Sequence, residues 1–595
     1  MLNPKEHRLD YGDKLRPPIG FELSYALATS FSVELDTLLT LPVAMCFDNT
    51  LEGNLQGEKL ALLEAISQLK GRFKVFFQQG NIKIPYQFNR LFTLLESCLV
   101  PVLPESAFSS FHPKVWLLRF TDRENSKSVK YRLLVLSRNL TFSRSWDLAV
   151  ALDGELTSEV QTVSHIDLIS FIKDLHKHAK SFDGFSVFNK ELGKVKWSLP
   201  QGFKELRMLH GNTKKVPINL GEGTESLLVM SPFLHEDALK KLRLASTQES
   251  FLFSRAEELN RLGAVKLQEW RCYALNETIV NGEDDLEQGY SQNLHAKLIV
   301  AKNGNTFHWH IGSANATVAA LGSSDKVLPR NTEFMVRLTS SNEAASLRSL
   351  RNELVGEDGK ETKIFIEHEF ATVEDDLEPI EESLRRQLAH NLICAQWIIK
   401  TSTQADNLYL CDVSCLDELD GFNGFIIEVG QLALKGDFKP LQENAVWKNM
   451  SLTQISAFLP VRVLRQTDGE MVLQLLIHAD LKMENDYREQ KILSELVDSE
   501  KKLMSYIQML LSPDEHHDEW FELEKNMDAG SGPGQWQQIL DSPILELLLR
   551  SASRRPEQLR RIESLMKRLK ESQIPIPQSF LQVWQHFSSH MGKRS

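Results

Sequence analysis

At 595 residues the chain is longer than one hydrophobic core supports, since cores stop growing near roughly 250–300 residues, so several domains are expected. With 42% hydrophobic and 25% charged residues and a net charge of −12, it reads as an ordinary globular protein, neither disordered nor an indiscriminate coat for nucleic acid. No apolar run reaches the roughly 18 residues of a membrane helix, the polar start MLNPKEHRLDYGDK excludes a secretory signal, and six scattered cysteines without a Cys-x-x-Cys pair read as reduced core thiols in a cytoplasmic protein.

In chain order, residues 1–20 read as an extended lead-in broken by Pro17-Pro18. Helices are predicted over 33–41 and 57–69, a strand over 73–78 and a helix over 85–100. Strands over 115–120, 131–136 and 148–152 follow, and a helix over 156–182 closes a first lobe, 1–195. A second lobe, 196–355, carries strands over 226–230 and 250–253, a further short element over 265–272, and strands over 298–301, 307–311 and 334–338. Helices over 235–245 and 342–355 complete it. Strands alternating with helices predict an α/β fold of sheets layered with helices. Beyond 356 strands dominate (363–370, 407–411, 424–432, 457–464 and 471–478) around one helix at 381–398, which predicts a β-rich accessory domain over 356–485. Residues 486–595 read as a helical C-terminal region, with helices over 487–511, 535–550 and 553–571 and a flexible break at Gly530-Ser531-Gly532-Pro533-Gly534. Its last stretch, 551–595, holds nine Lys or Arg against three Glu and reads by default as a solvent-facing helix edge.

Two stretches share one order of parts. Phe111-His112-Pro113-Lys114 leads into an apolar run, a polar turn over 121–127, a second apolar run, and Ser137-Arg138-Asn139. His295-Ala296-Lys297 leads into an apolar run, a turn at Asn303-Gly304-Asn305, a second run, and Gly312-Ser313-Ala314-Asn315, with Asn331-Thr332-Glu333 further on. Alternate residues of an extended strand share a face, so each His points the same way as its Lys, and the next strand delivers Ser and Asn beside them. An imidazole, an ammonium and a carboxamide at one point suit a phosphodiester. The amide and ammonium hold the non-bridging oxygens while the imidazole attacks or protonates. His-x-Lys alone is a weak motif. His178-Ala179-Lys180, in LISFIKDLHKHAKSF, has no strand or Asn-bearing turn after it and reads as a solvated helix face. Repetition of the whole order is the stronger signal, and it predicts two lobes related by a pseudo-two-fold with a single site between them.

Residues 108–146 carry eight Lys or Arg against two acids. They suit a polyanion led into a cleft, with Arg119, Lys130, Arg138, Arg144, Ser137 and Ser313 as substrate contacts; a lysine-rich hairpin kept soluble by its charges fits equally well. Glu283-Asp284-Asp285 and His516-His517-Asp518-Glu519 lack a completing ligand pattern, so no metal site and no cofactor are predicted.

On these motifs the chain resembles the phospholipase D superfamily, in which His-x-Lys followed by Gly-Ser-x-Asn is used twice per active site. The second copy matches through His295, Lys297, Gly312, Ser313, Asn315 and Glu333. The first has Ser-Arg-Asn for Gly-Ser-x-Asn, with Asp147 standing for Glu333. Both copies lack the aspartate five residues after the lysine, where Arg119 and Lys302 stand. In this the chain resembles the nuclease-like branch that includes tyrosyl-DNA phosphodiesterase. The opening stretch, LDYGDKLRPPIGFELSYALATSFSVELDTLL, resembles bacterial phospholipase D-like proteins found beside defence helicases. The resemblance covers residues 10 to 345. It implies a metal-independent phosphodiesterase that cleaves nucleic acid, DNA sooner than RNA, through a phosphohistidine, in antiphage defence with a helicase partner and without a membrane. His112 is then the nucleophile, His295 the general acid, and Lys114, Lys297, Asn139 and Asn315 the charge clamp, while Glu333 and Asp147 hold histidine ring nitrogens. The alternatives are a lipid phosphodiesterase and an inactive nucleic-acid-binding scaffold.

Overall fold

The computed structural model describes residues 11–46, 59–142, 145–160, 165–276 apart from 222 and 247, 293–356 apart from 326, 364–371, 379–441, 445–497 and 500–511, and parts of 548–585. Two large sheets dominate it. The first has seven strands, β1 (Phe21–Ser30), β2 (Phe73–Gln78), β3 (Leu99–Val102), β4 (Val115–Asp122), β5 (Val129–Leu136), β6 (Ala149–Leu156) and β7 (Val195–Trp197), in the order β7-β6-β5-β4-β1-β2-β3. The second has eight, β8 (Glu205–Gly211), β9 (Ser226–Met230), β10 (Ser250–Ser254), β11 (Arg271–Leu275), β12 (Leu298–Asn303), β13 (Thr306–Gly312), β14 (Glu333–Ser340) and β15 (Phe365–Glu367), in the order β8-β14-β13-β12-β9-β10-β11-β15. Six strands of each run in the same order and the same senses. Three parallel strands (β1-β2-β3, β9-β10-β11) adjoin three antiparallel ones (β4-β5-β6, β12-β13-β14).

The period of two along a strand explains the layering. On β4, Val115 and Leu117 belong to one buried apolar cluster and Trp116, Leu118 and Phe120 to another. Both faces are covered, which is why 115–118 reads as an unbroken apolar run. The first of these clusters is shared with the second sheet, through Leu298, Val300, Trp309, Phe334 and Val336. The two sheets therefore bury their inner faces against each other, at roughly 1.5–3 kcal/mol for each fully buried large side chain. The outer face of the second sheet packs on helices Glu236–Leu244 and Ala256–Leu262. That of the first packs on α1 (Leu35–Cys46) and α2 (Lys59–Leu69).

Several expectations need correcting. Residues 11–15 form a short helix, Tyr11–Leu15, within the expected extended lead-in. Between 85 and 100 only Phe92–Leu95 is helical, and Leu99-Val100-Pro101-Val102 is strand β3. The helix expected over 156–182 is shorter, α3 (Ile166–His176), so His178 lies beyond its end. Residues 365–367 were assigned to the accessory region, but they pair with β11 and complete the second sheet. The region after them contains α4 (Pro379–Cys394) and two four-stranded sheets, one including Trp397–Thr403, which the expected helix at 381–398 overran, and Ala445–Met450, which was not expected. Helices α5 (Arg488–Leu496), α6 (Glu500–Leu511) and α7 (Pro556–Glu571) share the apolar cluster of α1 and α2 rather than forming a core of their own. On α7, Arg568 is not a solvent-facing edge residue, since it reaches the buried Glu64 at 2.6 Å. The six cysteines are free, and Cys394 is exposed rather than in a core. Of the expected helix at 535–550 only Leu548 is described, and it is helical and buried, while the break at 530–534 and the stretches 283–285 and 516–519 lie outside the described residues.

Candidate active site

Antiparallel pairing brings the motif residues to one end of each sheet. Lys114 immediately precedes β4, Asn139 follows β5 and Asp147 precedes β6. Because β4, β5 and β6 alternate in direction, these three points fall on the same edge, joined by Leu136 N–H to Lys114 O (2.9 Å) and Ser137 N–H to Leu148 O (2.9 Å). In the second sheet Lys297 precedes β12, Asn315 follows β13 and Glu333 opens β14 in the same way. Gly312 lies where β13 passes β14 so closely that a Cβ would stand 2.3 Å from Phe334 O, which only glycine permits.

The two edges are stitched together by exchange. Residues 110–112 of the first half pair with Thr332 of the second, with His112 N–H donating to Thr332 O (2.9 Å) and Thr332 N–H to Ser110 O (2.9 Å). Residues 293–294 of the second half pair with 145–146 of the first, and His295 N–H donates to Trp146 O (3.0 Å). The carboxylates are exchanged likewise. His112 Nδ1 lies 3.0 Å from Glu333 Oε2, and His295 Nδ1 lies 3.1 Å from Asp147 Oδ1. Each imidazole is thus held by a carboxylate from the opposite half. A carboxylate only accepts, so Nδ1 carries the proton and Nε2 keeps its lone pair.

The carboxylates are themselves fixed. Glu333 is fully buried and accepts from Ser313 Oγ and Asn331 Nδ2 (3.1 Å), while Asn331 Oδ1 accepts from Ser110 N–H of the other half (3.0 Å). Asp147 accepts from Ser137 Oγ (2.9 Å) and Ser145 Oγ (2.5 Å). Lys114 and Lys297 are each 1% exposed and spend one donor on the carbonyl of the neighbouring histidine, His112 O (2.9 Å) and His295 O (2.6 Å). Two N–H donors remain on each ammonium. Asn139 and Asn315 both bury an unpartnered Oδ1.

Electrostatically the cluster is one unit. Burial pushes the His295 imidazole down to about 4, with Asp147 opposing through its hydrogen bond and both ammoniums adding to the fall. Burial likewise lowers His112, against Glu333 and with the help of Lys114 and Lys297. Lys297 is pushed down to about 7 by burial, with Arg255 adding to it, and Lys114 well below its usual range by burial and the Lys297 charge. Burial alone would raise Asp147 and Glu333, but the hydrogen bonds and charge of their histidines, reinforced by the serines, hold both below the ordinary carboxylate range. Each histidine feels both lysines, which is how closely the two halves converge.

Other expected contacts fall elsewhere. Ser137 and Ser313 are fully buried and hold carboxylates, so they have no surface to offer a substrate. Arg119 makes a two-pronged pair with Glu191 (2.8 and 2.9 Å), and Lys130 lies over the Phe21 ring at 4.6 Å, both on the sheet rather than at its edge. Lys302, at the position equivalent to Arg119, pairs with Glu225 (2.7 Å). Arg138 donates to Thr141 O (2.8 Å), and Arg144 lies outside the described residues. The basic stretch is therefore largely spent on structure. Sequence reasoning missed Ser145, Phe31, whose ring stands edge-on to His112 at 5.5 Å, and Arg255, which donates to Leu294 O (3.0 and 2.8 Å) just ahead of His295. Ser145, two residues before Asp147, is the only one of these that spacing could have suggested.

Comparison with solved structures finds yeast tyrosyl-DNA phosphodiesterase. A mutant form of that enzyme is 13% identical over 54% of this chain and 83% of its own, with a TM-score of 0.36. A second structure of the yeast enzyme is 13% identical over 55% of this chain and 84% of its own, with a TM-score of 0.34. No family model and no curated protein matches the chain.

Proposed function

We propose that the protein is a phosphodiesterase that cleaves nucleic acid, DNA in the first instance, with two histidines and no catalytic metal. The observation that carries this is the crossed pairing of His112 with Glu333 and of His295 with Asp147, with an ammonium and a carboxamide beside each. Nε2 of one imidazole attacks phosphorus in line, forming a phosphohistidine as the P–O bond to the leaving group breaks. The other imidazole, protonated, gives its proton to the leaving oxygen, then takes one from water, whose oxygen displaces the histidine and regenerates it. Lys114, Lys297, Asn139 and Asn315 neutralise the charge that builds on the non-bridging oxygens. With both lysines protonated, the two ammoniums of the empty site balance its two carboxylates. A phosphodiester brings one further negative charge, which raises the imidazoles and lets one of them hold the proton that acid catalysis needs. By resemblance His112 is the nucleophile and His295 the acid. A defence role beside a helicase, and a pseudo-two-fold relating two lobes that meet near residues 195–196, belong to the same proposal.

The test uses plasmid and single-stranded DNA in EDTA with wild-type protein, His112→Ala and His295→Ala. Cleavage that survives EDTA and falls by about 10³-fold or more in each variant is expected. Cleavage abolished by EDTA, or unchanged in both variants, contradicts the proposal.

A further inference from the structure

Resting on that reading, we propose that the groove between the first half and helix α4 holds unpaired nucleotides next to the scissile phosphate, so that the preferred substrate is single-stranded. A cavity of about 460 Å³ opens between the end of β2, the loop at 104–110 and α4. Phe31 lines it and also packs against His112, so one wall of the cavity adjoins the candidate site. Gln78, another lining residue, accepts from Phe111 N–H (2.9 Å), one residue ahead of His112.

Its lining fits a polynucleotide without base pairs. Arg385 and Arg386 face it from α4. Among the described residues Glu382 is the only carboxylate in the lining, and it is already engaged by Arg386 (2.9 Å). Arg385 is exposed and makes no ion pair with another described residue. A local surplus of positive charge in a chain of net charge −12 suits phosphates. Phe108 is 39% exposed on the loop, and with Phe31 it offers flat apolar faces. Bases stack on such faces only when unpaired, because in a duplex their own neighbours cover them.

The walls are fixed against each other. Gln79 donates to His478 O (3.1 Å) and accepts from His478 N–H (3.2 Å), and Gly80 approaches α4 so closely that a Cβ would lie 2.5 Å from Ile393 Cγ2. The groove is thus a built feature between two tied regions, not a gap between loose ones.

The experiment measures fluorescence anisotropy of a labelled oligothymidylate with the full-length protein, against the Arg385→Glu/Arg386→Glu double variant, Phe108→Ala and the Arg385→Lys/Arg386→Lys control, each checked for an unchanged melting temperature. The charge reversal and Phe108→Ala are each expected to weaken binding roughly ten-fold, with a shallower salt dependence in the charge reversal only. The lysine control retains binding, and a duplex of equal length competes poorly. Binding unaffected by these substitutions, or a duplex that competes as well as the single strand, overturns the groove assignment. Hydrolysis of bis(p-nitrophenyl) phosphate by wild-type protein, a diester too small to span the groove, separates the two claims. Its presence with failed groove tests sinks only the groove, whereas its absence sinks the phosphodiesterase reading beneath it.

Discussion

The two halves present the same kinds of side chain on unequal frames. After β13 the chain runs Gly312-Ser313-Ala314-Asn315, and the glycine is forced by the approach of Phe334 O. After β5 it runs Leu136-Ser137-Arg138-Asn139, where Leu136 is 4% exposed and fills a core instead. Ser and Asn nonetheless arrive at equivalent places, since the antiparallel register, not the residue before the serine, sets where they stand. The second difference lies in the carboxylates. Glu333 is fully buried and its side chain serves His112, which is 13% exposed, whereas the Asp147 side chain is 12% exposed and serves His295, at 21%. Because the pairs are crossed, the half with the looser motif supplies the acid that orients the histidine of the stricter half. Neither histidine therefore has its carboxylate without the other half.

This comparison can be broken in several ways. The largest expected effect comes from replacing the carboxylates. Glu333→Gln and Asp147→Asn, each leaving the histidine in place but misaligned, should lower kcat by about 10²–10⁴-fold. The loss should be greater for Glu333, whose burial leaves no water to substitute for it. Equal losses would mean that the asymmetry in burial is functionally silent, and no loss in either would remove the orienting role. A smaller effect, on stability, separates the two frames. Gly312→Ala forces β13 and β14 apart, whereas Leu136→Ala leaves a cavity costing about 2–5 kcal/mol. Chemical denaturation should find both destabilised, and only Gly312→Ala should also displace Ser313 and Glu333 and so depress activity beyond the stability loss.

The smallest effect is in pH dependence. The reaction needs one imidazolium, and in the empty site His295 holds its proton only near pH 4. Free enzyme in the productive protonation state therefore becomes rarer as pH rises, so kcat/KM should fall between pH 5 and 8. Lys297, pushed down to about 7, adds to the fall over the same range. With substrate bound the added negative charge raises the imidazole, so the limb in kcat should lie at higher pH than that in kcat/KM. Identical limbs would contradict the electrostatic account. Stability should move in the opposite sense. His295, His310 and His478 all sit near 4 when folded, against about 6.5 unfolded. The unfolded chain then binds more protons between those values, and the melting temperature should drop as pH falls from about 6.5 toward 4.

The repeated order of His-x-Lys, strand, turn, strand and Ser-x-Asn is legible because each copy is a local hairpin, two apolar runs joined by a short polar turn. So are Phe73–Gln78, Ser226–Met230 and Met471–His478, which match their expected spans. Leu99–Val102 escapes a reading by spacing because Leu91, Leu95 and Leu99, four residues apart, also satisfy a helix. Pro101 is tolerated there because β3 is the sheet's edge, where a missing N–H costs nothing. The basic stretch misled for a related reason: Arg119 and Lys130 read as exposed charge until Glu191 and Phe21, distant in sequence, are brought to them. The crossing of Glu333 to His112 and of Asp147 to His295 could not be read from either hairpin, since it exists only once the two edges meet.

The central claim is that His112 and His295 act on one phosphate in different steps, and rapid quench of a labelled oligonucleotide with each histidine replaced by asparagine tests it directly. The account predicts an acid-labile, base-stable phosphoryl adduct on His112 that accumulates in His295→Asn and never forms in His112→Asn. An adduct in neither protein while the wild type still cleaves, or turnover persisting in either variant at the wild-type rate, would contradict it.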